Sequence, residues 1–106
     1  MALTVVITRD VEDRYRGFLA SAMLEVAPGV YASPTLSARA RGQVWEVMTS
    51  WHAELRRGSV TLIHPDKQAE GGLVIQSLGT PSRRAIRLDG VLLSARENPS
   101  GIERAP

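Results

Sequence analysis

The chain has 106 residues with 43% hydrophobic and 23% charged side chains. This is the usage of one ordinary globular domain, which excludes collagenous, coiled-coil and disordered classes and leaves no room for a second hydrophobic core. Cysteine is absent, which removes disulfide frameworks, thiolate zinc, iron–sulfur clusters and cysteine nucleophiles. The net charge is only +2, yet Lys67 is the single lysine among 13 basic residues. Arginine forks onto phosphate and carboxylate, so this bias points to an anionic partner.

Residues 3–8, LTVVIT, are a β-branched run broken only by threonine and predict a buried central strand. Asp10 follows as a candidate cap, and Val11, Tyr15, Phe18, Leu19 and Ala22 recur at helical spacing, which predicts an amphipathic helix over 11–23. In LEVAPGVYA, Pro28-Gly29 carries type II turn chemistry between apolar runs at 24–27 and 30–32, and a tight hairpin is expected. A second helix is predicted over 37–57, with Val44, Met48, Trp51 and Leu55 as its stripe and Gly58 as its stop. Residues 60–64 and 73–78 read as another hairpin joined by the turn-rich PDKQAEGG. The polar loop TPSRR then leads to a ribbon, 86–88 and 91–94, around Asp89-Gly90. Strand, helix, strand, strand, helix, strand is the split βαβ order, so the expected class is α+β: a ferredoxin-like (βαββαβ) sandwich with extra C-terminal β-strands. The domain is expected over 1–95 and a polar, flexible tail over 96–106. No apolar run nears the roughly 20 residues that span a bilayer, and the start MALTVVITRD lacks a basic leader and a small-residue cleavage site, so a cytoplasmic protein without membrane contact is expected.

Few residues offer catalytic chemistry. His52 and His64 fall on different elements without metal-ligand spacing, and the nucleophile-elbow, zincin and P-loop motifs are missing. Trp45, Met48 and Trp51 read as packing on the second helix, and Tyr31 is the only aromatic residue on a predicted strand, so the stacking sheet of an RNA-recognition module is not expected. Asp10 stands just past the first strand, as a cap or as a candidate metal-binding carboxylate.

The arginines say more. Arg14 and Arg16 can pair with Asp10 and Glu12 at i,i+4 on a solvated helical face. Arg39 and Arg41 stand in the first turns of the second helix, where the dipole makes cations unwelcome; an anion docked on the free N–H groups would reverse that cost. Arg83-Arg84, with Arg87 close behind, forms a cationic knot without an acidic neighbour in sequence until Asp89, also suited to phosphate.

The stretches LTVVIT, DRYRGFL, LEVAPGVY, SARARGQVWE, GGLVIQSLG and RRAIRLDG together resemble the smaller CRISPR adaptation protein, often called "Cas two", in its subtype I-E branch. The resemblance covers residues 1–95. It implies a ferredoxin-like homodimer at the centre of an integrase complex, with duplex DNA lying across it while the larger CRISPR adaptation integrase supplies the chemistry of spacer acquisition. It assigns DNA contact to Arg14, Arg16, Arg39, Arg83 and Arg84, with Arg41 and Arg87 as extras, and partner contact by edge pairing to the C-terminal strands around 86–88 and 91–94. Related branches are magnesium-dependent nucleases with an acidic residue at the end of the first strand. Here Arg9 stands at that position and Asp10 follows it.

Three functions remain open on sequence alone. The leading one is a non-catalytic DNA-binding scaffold that requires no cofactor. The second is a Mg2+-dependent endonuclease using one Asp10 from each protomer across the dimer axis. The third is a regulatory domain whose arginines hold a phosphorylated metabolite.

Overall fold

β1 (Ala2–Arg9) is the strand from which the fold is built in the computed structural model, which describes residues 2–96. It pairs antiparallel with β3 (Val30–Leu36) on one side and β4 (Ser59–Pro65) on the other, so that Val6 lies between Tyr31 and Leu62. α1 (Asp13–Ala22) connects β1 to β2 (Leu24–Ala27), and α2 (Ala38–Glu54) connects β3 to β4. β5 (Leu73–Leu78) then pairs with β4, giving a five-stranded antiparallel sheet in the order β2-β3-β1-β4-β5. A separate two-stranded ribbon, β6 (Arg83–Leu88) and β7 (Val91–Arg96), completes the described chain. This is the expected α+β, ferredoxin-like arrangement with extra C-terminal strands. Among the described residues no helix is long and apolar enough to cross a membrane. Of the predicted tail, all but Arg96 lies outside the described residues.

The core sits between the sheet and its two helices. Alternate residues of β1 and β4, namely Thr4, Val6, Thr8, Val60, Leu62 and His64, are buried on the helix side together with Tyr31 of β3. Tyr15 and Leu19 from α1 and Val44 and Met48 from α2 close over them, with Trp45 and Trp51 packed at the margin. Tyr31 is therefore core rather than a stacking surface. The opposite face carries Val5, Ile7, Val30, Ile63 and Ile75 and is only half-buried within the single chain. His64 is buried with Nδ1 3.0 Å from the Pro65 carbonyl oxygen.

Three local expectations are corrected. Asp10 does not cap α1: the N-cap is Glu12, and Asp10 takes a left-handed conformation (φ 58°), which a short polar side chain tolerates and which swings the chain off the strand. The second helix stops at Glu54, and Leu55, expected in its stripe, is the C-cap with its side chain largely exposed. Arg83 and Arg84, expected on a loop, belong to β6. The left-handed Asp89-Gly90 turn sets the register Leu88 opposite Val91, and the ladder runs back to Arg83 opposite Arg96 regardless of side-chain polarity.

The end of the sheet is closed by backbone packing. Gly58 (φ 75°) lies against the carbonyls of Arg9 and Asp10, and Gly79 lies against the carbonyl of Gly58. A Cβ at Gly58 collides with main chain in a conformation L-residues avoid, so Gly58→Ala should cost about 1–3 kcal/mol or more. Gly17, inside α1 with open space around its missing Cβ, should respond oppositely: Gly17→Ala gains about 0.5–1 kcal/mol of helix propensity. Thermal unfolding of the two variants should shift the midpoint down and up, respectively.

Candidate nucleic-acid interface

The five predicted arginines fall on three separate parts of the fold and differ in whether their charge is already satisfied. Arg14 is engaged within the chain. Its Nη2 donates to Glu54 at 2.9 Å, its Nε donates to Glu12 at 3.2 Å, and its guanidinium lies 4.6 Å from the Trp51 ring centroid. The Glu54 hydrogen bond, with a smaller contribution from Glu12, holds this guanidinium above its ordinary pKa. Trp51 also makes edge-on contacts with Tyr15 and Phe18, so Arg14 is the outer member of an aromatic cluster joining α1 to α2. Burial in that cluster pushes the Tyr15 phenol up. The i,i+4 pairs expected with Asp10 and Glu12 do not form as such: Arg14 takes Glu12 and Glu54, and Arg16 has no ion-pair partner among the described residues.

Arg39 lies in the first turn of α2, which contains no acidic residue. Ser37 caps the helix by accepting from the Ala40 N–H at 3.1 Å, leaving Arg39 exposed and without a carboxylate partner among the described residues. Arg14 reaches Glu54 at the other end of the same helix. At about 1.5 Å rise per residue, Arg39 and that contact are separated by roughly 20 Å along α2.

On the ribbon, strand alternation divides the expected cationic knot. Arg83 and Arg84 point to opposite faces of β6. Arg83 Nη1 reaches the Ser94 hydroxyl at 3.5 Å on one face, while Arg84 Nη1 stands 4.0 Å from Glu70. Glu70 also accepts from the Arg87 backbone N–H at 3.0 Å. The ribbon thus has an acidic neighbour that sequence distance concealed.

Asp10 offers poor chemistry for a metal. Its exposed carboxylate is 3.5 Å from Arg57 Nη2, and Arg9 adjoins it in the chain. Magnesium needs several oxygen ligands in near-octahedral order, and among the described residues no group of three or more His, Asp or Glu side chains converges. The residues around Asp10 do not fit the ion.

Residues 3–93 match the family described as CRISPR-associated protein (Cas_Cas2CT1978). The chain belongs to this family. The match spans both helices, all of the sheet but Ala2, and most of the ribbon, so Arg14, Arg16, Arg39, Arg83 and Arg84 all lie inside it.

Sequence reasoning missed Glu54 and Trp51 as the partners of Arg14 and Glu70 as the partner of the ribbon. No local signal could reveal them, because the contacts span 40 and 17 residues of chain for the Arg14–Glu54 and Arg87–Glu70 bonds. The difference between the two α1 arginines can be measured. Arg14→Ala removes packing on Trp51 along with two ion pairs and should lower the thermal midpoint, whereas Arg16→Ala should leave it unchanged.

Proposed function

We propose that the chain is a subtype I-E form of the smaller CRISPR adaptation protein, acting as a non-catalytic dimeric scaffold that holds duplex DNA beside the larger adaptation integrase during spacer acquisition. The observation that carries this reading is the distribution of uncompensated arginine. Arg16 and Arg39 sit on the helix layer and Arg83 on the ribbon, each exposed and lacking a carboxylate partner among the described residues. A small anion is held by convergent groups, whereas a duplex is held by phosphate contacts strung along the protein. The spacing of these arginines suits the second case.

The dimer is supported by the sheet face opposite the helices. The β1 face opposite the helices carries Val5 and Ile7, the apolar pattern of a covered face, yet within the single chain both are only half-buried. Leu3, Leu24 and Val26 add exposed apolar area near Val5 and Ile7. A second copy is the occupant the reading requires. Leu88, Val91, Leu92 and Leu93, exposed on the ribbon, are apolar positions suited to the integrase. The scaffold role asks for no metal, consistent with the donor set around Asp10.

Light scattering should report twice the 11.5 kDa chain mass, and Ile7→Lys, which puts a charge on the open face, should give monomer. A soluble wild-type monomer at micromolar concentration contradicts the dimer. For DNA, Arg39→Ala combined with Arg83→Ala should weaken duplex binding equally for unrelated sequences and lower the salt slope by about 0.9 per lost contact. An unchanged affinity and slope would remove these arginines from the interface.

A further inference from the structure

A second basic centre lies apart from those arginines, where the strand ends meet. Arg9 closes β1, His52 lies in the last turn of α2, and Arg56 and Arg57 follow that helix into β4. Arg9, Asp10, His52, Arg56, Ser59 and Thr80 line an open cavity of about 550 Å³ beside Gly58 and Gly79. Among the described residues Asp10 is its only carboxylate, and Arg57 Nη2 stands 3.5 Å from it. Arg9 and Arg56 have no ion-pair partner among the described residues. The Nε2 of His52 is enclosed and likewise without a hydrogen-bond partner.

The helix dipole explains only part of this arrangement. Cations are welcome at the C-terminus of α2, which accounts for Arg56 and Arg57. It does not account for Arg9, which arrives on a different element and brings like charge to the same hollow at an electrostatic cost. Two uncompensated guanidinium groups, Arg9 and Arg56, and the hydroxyl-bearing side chains of Ser59 and Thr80 border one space. Such a set matches an oxyanion with several acceptor oxygens.

We propose that this cavity is a phosphate-binding site, with Arg9 and Arg56 forking onto the phosphate oxygens and the two hydroxyls completing the cradle. The site goes beyond the scaffold reading, since it shares no residue with Arg16, Arg39 or Arg83. The phosphate has two possible sources, a free small phosphate or a backbone phosphate of bound nucleic acid, and the recognising chemistry is the same for both.

The test is an NMR titration of the full chain with inorganic phosphate, against potassium chloride at matched ionic strength, and separately with a short duplex. Phosphate should shift the backbone amide signals of Gly58, Ser59, Gly79 and Thr80, while chloride leaves them in place. Arg9→Ala with Arg56→Ala should lower phosphate affinity at least tenfold without moving the thermal midpoint, as both side chains are exposed. The conservative pair Arg9→Lys with Arg56→Lys should fall between, because lysine cannot make the forked contact. If the duplex moves the same signals and the double alanine variant weakens duplex binding, the source is the backbone. If only inorganic phosphate moves them, the source is a free phosphate. Absence of shifts with both probes, or shifts that persist in the double alanine variant, overturns the site. Arg39→Ala should leave the phosphate response intact, so loss of duplex binding through the scaffold arginines and loss of this site are read separately.

Discussion

β1 is the constraint on which the rest depends. It is hydrogen-bonded on both edges, and its register with β3 and β4 puts Val6 against Tyr31 and Leu62 on the face that the helices cover. A one-residue slip would turn Val5 and Ile7 inward and expose Val6. Because α1 leaves one end of β1 and α2 returns the chain to β4 beside it, that register also decides where both helix termini lie. Arg9, Asp10 and Gly58 meet at the same sheet end for this reason. The backbone contact of Gly58 with the Arg9 and Asp10 carbonyls leaves no space for a side chain between the strand ends.

The framework of the fold was legible because it is written in local patterns. The β-branched run of β1, the Pro28-Gly29 and Asp89-Gly90 turns and the stripe Val44, Met48, Trp51 each depend on neighbours within a few residues. Element ends were less legible. Asp10 looked like a cap from its residue type, but the chain needed it as a left-handed exit from β1, and Glu12 became the N-cap without a side-chain bond. Ribbon length was misread because hydrophobicity marked only its centre, whereas pairing from the turn carried Arg83 and Arg84 into the strand.

The candidate interface was legible as a set of residues but not as a set of available charges. Arginine type and position identified Arg14, Arg16, Arg39, Arg83 and Arg84, yet availability depends on tertiary partners. Arg14 lies on Trp51 and between Glu12 and Glu54, so DNA contact there would compete with interactions that join α1 to α2. Arg39 has no such competitor among the described residues, and its place in the first turn of α2 is electrostatically unfavourable in the free chain. Arg84 shares Glu70 with the ribbon backbone, whereas among the described residues Arg83 meets only a hydroxyl at the limit of hydrogen-bond distance. Identical side chains thus differ in what they have left to offer.

The uncovered apolar face and the uncompensated helix-layer arginines occupy opposite sides of the sheet, and this separation gives the scaffold reading its physical coherence. On the proposed reading, a second copy set against Val5 and Ile7 would bury the part of the face that a lone chain leaves half-exposed, and the two helix layers would then point outward. Arg16 and Arg39 of each copy would stay in solvent, because they lie on the helix side and not on the apolar face. Burying the apolar face would use dispersion and the hydrophobic effect, which salt does not weaken as it weakens charge pairing; holding a duplex would use arginine and counterion release, which added salt strongly opposes. On this reading, raising the ionic strength releases nucleic acid before it separates the two copies.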